Sequence, residues 1–210
     1  MSTGSNLFQP EQLIQSFNIR AGDHIADFGA GHGYFAIPLA RATGPAGKVY
    51  AIDIQWAALD MVRSRAAAEH LLNLEYVQAD LDEPGGSRLM DRFVDLVVVA
   101  NILFQTERKD MLMREAWRIL REGGRLAMIE WDTMVESQVM LGPLPTMRVK
   151  KETARTLAVQ AGFEFDREFS AGVHHYGMIF IKGVKPFVAS ARSGEETSVS
   201  SSLARLAIKK

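Results

Sequence analysis

His24-Ile25-Ala26-Asp27-Phe28-Gly29-Ala30-Gly31-His32-Gly33 is the stretch on which the fold reading turns. Its first five residues read as a short buried strand. Three glycines then alternate over five positions, and residues 34–43 follow with helical spacing, Phe35, Leu39 and Ala42 falling on one side. Pro38 sits early enough in that helix for its missing N–H to cost little. A strand, a tight turn and a helix make the opening unit of an α/β sheet, whose carboxyl edge is where such folds bind ligands. Glycines in the turn let backbone approach a ligand closely, and the helix start presents free N–H groups beside it.

Two cofactor classes use such a turn, and spacing separates them. A dinucleotide site wants Gly-x-Gly-x-x-Gly, which would place its third glycine at Tyr34. Here Asp27 instead precedes Gly29, Gly31 and Gly33 in the pattern Asp-x-Gly-x-Gly-x-Gly. An acid in this place suits a ligand with a cationic amine, such as the methionine part of S-adenosylmethionine, better than a pyrophosphate. Asp53 closes the next strand, Val49-Tyr50-Ala51-Ile52-Asp53-Ile54, where a carboxylate can accept both ribose hydroxyls. Asp80, in Gln78-Ala79-Asp80-Leu81, follows the third strand and can receive an adenine amino group, with Leu81, Ile54 and Trp56 flanking the ring. Each acid alone also fits a helix cap. Three in register at successive strand ends argue for a site.

Outward from this core, a helix is expected over 11–17, strands over 48–54, 73–78, 94–100 and 125–131, and helices over 56–70 and 107–121. Residues 94–100 form the most continuous apolar run, suited to a central parallel strand buried on both faces. Glu122-Gly123-Gly124 reads as a helix stop. Beyond an irregular crossover at 132–148 come a helix at 151–160 and strands at 163–169 and 175–182. Five β/α alternations closed by a strand pair indicate an α/β, doubly wound parallel sheet with one antiparallel addition. The serine-rich residues 185–210 read as a flexible tail.

With 210 residues, the chain suits one domain plus that tail. A net charge of -1 offers no field for duplex DNA. The absence of cysteine excludes thiol nucleophiles, disulfides and cysteine–zinc sites, and no metal site is expected. The first ten residues lack a signal-peptide pattern, and no apolar run is long enough to span a bilayer. A cytoplasmic protein with no transmembrane segment is expected.

Residues 27–33, 50–53, 78–80, Val99-Ala100-Asn101-Ile102-Leu103 and 115–124 resemble the class I S-adenosylmethionine-dependent methyltransferases. The likeness is nearest to the small-molecule branch that includes the ubiquinone and menaquinone C-methyltransferases. It implies a Rossmann-like, seven-stranded sheet in the order 3-2-1-4-5-7-6 with an antiparallel last strand, over a domain at 1–184 with an N-terminal helix near 10–18. It also implies that Asp27, Gly29, Gly31 and Gly33 hold the methionine part, Asp53 the ribose, and Asp80 and Leu81 the adenine, with Phe28, Ala30 and Ile54 also among the cofactor-binding residues. Ala100 and Asn101 would lie under the sulfonium. Phe28 and Ala30 replace a commoner leucine and cysteine, and His32 a threonine or serine, but no glycine is lost.

Methyl transfer from a sulfonium is an in-line displacement whose leaving group is already activated, so alignment supplies much of the acceleration. A base is needed only for a hydroxyl or carbon acid. No catalytic residue is identified, and Asp132, His174 and His175 are candidates. Gln105, Trp131 and Arg148 are candidates for binding a small-molecule acceptor, with Asn101 beside them. Asn101-Ile102-Leu103-Phe104 departs from the Asn-Pro-Pro-Tyr of exocyclic-amine methyltransferases. Met134, Met140 and Met147 in the crossover suit a lid over an apolar acceptor. Two alternatives stay open: a cofactor-binding partner or sensor without transfer activity, and an NAD(P)-dependent oxidoreductase. A homodimer is also left open.

Overall fold

The computed structural model describes residues 9–133 and 142–183. Among them, β1 (His24–Phe28), β2 (Lys48–Asp53), β3 (Leu74–Gln78), β4 (Val94–Ala100), β5 (Leu120–Trp131), β6 (Phe163–Ser170) and β7 (His175–Lys182) form one sheet. Their order is β3-β2-β1-β4-β5-β7-β6, as the resemblance implied. Pairing is parallel from β3 through to β5, and β7 runs antiparallel between β5 and β6. The valines of β4 explain its central place: Val97, Val98 and Val99 are wholly buried, with β1 on one side and β5 on the other. The edge strand β6 instead alternates exposed residues with more sheltered ones, a one-faced strand.

Helices cover both faces. On one lie α1 (Pro10–Leu13) with the 3-10 turn Ile14–Phe17, α2 (Ala36–Thr43) and α3 (Trp56–Ala68), burying Phe17, Ile37, Leu39, Leu59 and Val62 against Ile25, Val49 and Val98. On the other lie α4 (Lys109–Ile119) and α5 (Lys151–Gln160), with Leu112, Ala116 and Ala154 against Val97, Val99 and Met128.

One expectation needs correction. The third long helix ends at Ile119, and Leu120 already pairs with Val94 as the first residue of β5. The next registered pair is Leu96 with Arg125, so residues 121–124 form an irregularity in the strand rather than a helix cap. Gly123, at φ 74°, supplies the left-handed residue that lets the strand resume. The cap of α4 comes from elsewhere. The Lys182 ammonium, buried under β7, donates to the carbonyls of Trp117 and Leu120 at 2.7 Å each and lies 3.9 Å from the Trp117 ring centre. A cation at a helix C-terminus is favoured by the peptide dipoles.

The N-terminal segment is held by distant residues. Arg125 pairs with Asp23 at 2.6 Å, both largely buried, and its guanidinium also donates to the carbonyls of Phe17 and Asn18. Arg167 donates to the Ser16 carbonyl at 2.8 Å. Phe17 packs edge-on against Phe169 and stacks on Phe35.

No helix among the described residues is long and apolar enough to cross a membrane. The serine-rich stretch 185–210, and Met134 and Met140 of the crossover, lie outside the described residues. Removing Arg125 leaves the buried Asp23 charge with only the Arg20 amide as donor, and takes a donor from the carbonyls of Phe17 and Asn18. Arg125→Met should therefore lower unfolding free energy by about 3 kcal/mol, read as a fall in the urea midpoint at unchanged slope. A loss below about 0.5 kcal/mol would class the pair with exposed ones.

Candidate functional site

The ends of β1, β2 and β3 are stitched together by backbone and by one carboxylate. The Ala30 amide donates to the Ile52 carbonyl at 2.9 Å, and the Ala79 amide to the Asp53 carbonyl at 3.0 Å. The Asp53 carboxylate accepts the Gly31 amide on one oxygen and the Gln55 amide on the other, each at 2.8 Å. Asp53 thus fixes the glycine turn after β1 and the entry to α3 at once.

The three glycines differ in what they do. At Gly33, φ 80°, a β-carbon would lie 3.2 Å from Val62 of α3, so this glycine allows close helix packing. At Gly31, φ 49°, nothing but the Gly29 carbonyl oxygen comes within 4 Å, so that backbone faces open space. At Gly29 a β-carbon would meet the Ile102 side chain at 2.4 Å. Tyr34 is 63% exposed, so the close packing falls at position 33 and not at the 34 a dinucleotide turn would use.

A crevice of about 300 Å³ opens above these strand ends. Gly29, Gly31, Asp53, Ile54, Asp80 and Leu81 line it on the side of β1 to β3. Asn101, Ile102, Gln105 and Thr106 line it on the side of β4. Asp80 accepts the Asp82 amide at 2.9 Å, which squares its loop locally. Asn101 stands at the end of β4 in a left-handed conformation, φ 55°, and its buried side-chain oxygen has no partner among the described residues.

Asp27 lies behind the glycine turn, 2% exposed, and one carboxylate oxygen has no partner among the described residues. Burial pushes its carboxyl up to about 7. The Ala36 amide works against that rise, and the nearby Asp53 charge adds to it. A buried acid short of a donor, next to open glycine backbone, fits a cationic amine.

Other residues singled out from the sequence stand apart from the crevice. Phe28 is wholly buried in the core, and Ala30 is nearly so. Ala100 packs against the core on the face of α2. Trp56 stands over the Arg63 guanidinium instead of lining the crevice. Trp131 stacks on His175, ring centres 4.2 Å apart, while Arg148 lies over the same indole and donates to the carbonyls of Pro143 and Asp132. Asp132 in turn donates its amide to the His174 carbonyl at 2.8 Å. These five residues form a cluster at the same sheet edge, beyond β5, and none lines the crevice. Burial, with His174 and Arg148 adding, pulls His175 down to about 4, which keeps its imidazole neutral.

Two acids that shape the crevice escaped the sequence reading. Asp82 accepts the amides of Glu107 and Arg108, and Glu130 accepts those of Ile102 and Leu103. For Glu130 a signal existed: one acid closing the apolar run Leu126–Ile129.

Residues 25–124 match the family described as "Methyltransferase domain". The chain is 31% identical over 132 residues to the ubiquinone/menaquinone biosynthesis C-methyltransferase UbiE of Pseudomonas putida, covering 62% of this chain and 50% of that one. The chain therefore spans half the length of that relative. Against UbiE of Pseudomonas fluorescens the likeness is 25% over 192 residues, covering 78% and 74%. The fold matches that of a SAM-dependent methyltransferase from Aquifex aeolicus with a TM-score of 0.75 at 24% identity, covering 84% and 91%. The [4+2]-cyclase SpnF shares it too, at 0.70 and 16%, covering 83% and 80%. Residues 25–124 thus match a methyltransferase domain, the chain is related in sequence to UbiE, and its sheet order and fold are shared with a solved SAM-dependent methyltransferase.

Proposed function

We propose that the protein transfers a methyl group from S-adenosylmethionine to a small-molecule acceptor. One observation carries this reading: a buried, donor-poor Asp27 lies directly behind a glycine turn whose backbone faces open crevice. That arrangement answers an amino-acid ammonium, and the family match agrees with it. In this reading Asp27, Gly29 and Gly31 hold the methionine part, and Asp53 receives the ribose hydroxyls on oxygens already oriented by the Gly31 and Gln55 amides. Asp80, Leu81 and Ile54 border the adenine, and Asn101 faces the sulfonium. Phe28, Ala30 and Gly33 contribute by packing the turn.

When bound, the cofactor supplies a methyl group on a charged sulfur that departs as a neutral thioether. The protein's task is then to align the acceptor and keep water out. Gln105, at the β4 side of the crevice, is placed to touch an acceptor. The cluster of Trp131, Asp132, Arg148, His174 and His175 stands further along the same edge, where the acceptor would enter. His175 is held neutral there, and the burial that lowers it to about 4 also makes it a weak base, so its place in the cluster is that of a neutral ring beside Trp131.

Calorimetry should show S-adenosylmethionine and S-adenosylhomocysteine binding with micromolar affinity and NAD giving no heat. Tight NAD binding alone would reverse the assignment. Asp53→Ala should weaken binding at least about tenfold, since ribose contacts and turn orientation go together. An unchanged affinity would remove Asp53 from the site.

Asp27 gives a pH dependence with a definite sign. Without ligand its carboxyl is half-protonated near 7, and an ammonium beside it favours the carboxylate. Donor affinity should therefore fall as pH drops below about 7 and level off above it, with proton release on binding at pH 6. For the ligand-free protein the raised value means that this group's contribution to stability is full below about 4 and is lost as pH climbs towards 7. Asp27→Asn should thus bind poorly yet unfold at higher temperature than the parent at pH 8. A variant less stable than the parent at that pH would contradict the burial argument.

A further inference from the structure

Between β4 and α4 the chain crosses the crevice as residues 101–108, and carboxylates from two other elements reach over to hold it. At its start, one oxygen of Glu130 in β5 accepts the amides of Ile102 at 2.9 Å and Leu103 at 2.8 Å. At its end, Asp82 accepts the amides of Glu107 at 3.2 Å and Arg108 at 3.1 Å. The span between them places Ile102, Gln105 and Thr106 in the crevice wall. Asn101 begins the span in a left-handed conformation, which costs free energy for a residue with a β-carbon and persists only when neighbours impose it. The Ile102 side chain then comes down over Gly29, so close that a β-carbon there would lie 2.4 Å from it.

Glu130 is 1% exposed, follows the apolar residues Leu126–Ile129, and its second oxygen has no partner among the described residues. An acid so placed is unfavourable for packing. Its two contacts with loop amides are what an apolar residue could not supply. A serine, threonine or asparagine would be too short to span from the strand to both amides.

We propose that Glu130 is a positioning residue for methyl transfer: by holding the Ile102 and Leu103 amides it seats Ile102 against Gly29, forming the wall between donor and acceptor. Asp82 ties the other end of the same span to the adenine-side loop. Glu130 touches neither reactant and acts through Ile102. The proposal rests on the methyltransferase reading, and the experiment separates the two.

The full chain is studied by amide hydrogen exchange and by calorimetry with S-adenosylhomocysteine, with circular dichroism to verify folding. In Glu130→Ala, exchange at Ile102 and Leu103 should accelerate at least about tenfold and affinity should fall about fivefold or more, with global unfolding still cooperative. Glu130→Gln keeps an acceptor oxygen at the same reach and should restore slow exchange and an affinity within about twofold of the parent. Rescue by glutamine is what simple core filling would not give. Should the alanine variant not fold, Glu130→Leu fills similar volume without an acceptor and must show the same losses. Asp82→Ala should speed exchange at Glu107 and Arg108 while leaving Ile102 slow. If the parent protein binds no S-adenosylhomocysteine, the methyltransferase reading fails and this proposal with it. If the parent binds but the alanine and leucine variants bind equally well, or glutamine fails to rescue, only the proposal falls.

Discussion

The reversal of strand order between β1 and β4 is the constraint on which the rest depends. After β1 the chain leaves for the face that carries α2, and after β4 it leaves for the opposite face that carries α4. Two connections departing in opposite directions from adjacent parallel strands cannot fill the space between them. The crevice follows from that topology. What lines it follows from which residues happen to close β1, β2 and β4.

The crevice is firm where it must recognise and costly where it must attract. Asp53 satisfies its carboxylate with two backbone amides and in doing so holds the turn open. Asp27 does the opposite. It lies buried with an oxygen lacking a donor among the described residues, and burial lifts it towards neutrality. In the function proposed above, the first device organises the site without ligand, and the second would give its full interaction only to a cationic amine. On that proposal, stability and affinity pull in opposite directions at Asp27 and together at Asp53, a division found where sites are built into otherwise well-packed folds.

Much of this was legible in the sequence because it is local. The valine run of β4 and the alternating glycines after β1 announce their roles through neighbours a few positions away, and the strand bounds of β1, β4 and β7 follow. The start of β5 was not legible, since Arg121-Glu122-Gly123-Gly124 has the composition of a helix stop, and only its partner β4 shows the strand already under way. The acids at strand ends could be read from spacing, because a parallel sheet aligns them. Glu130 left a trace as an acid closing an apolar run, but its partners and those of Asp82 could not be read, because each serves backbone amides 25 to 28 residues distant, a relation that no periodicity encodes. Trp131, Arg148 and His175 were readable as chemistry but not as place. Their mutual stacking draws them into a cluster of their own beside the crevice.

The clasp that Arg125 makes on Asp23 and on the carbonyls before it joins residues more than a hundred positions apart. During synthesis residues 17–23 precede Arg125 and find its guanidinium only after that many further residues, a wait of roughly 5–20 seconds at ordinary ribosomal rates. Phe17 spends the interval with its later partner Phe169 still unmade. Residues 16–23 thus gain their distant contacts late, and a nascent polypeptide halted midway would present Phe17 to whatever chaperone waits at the exit.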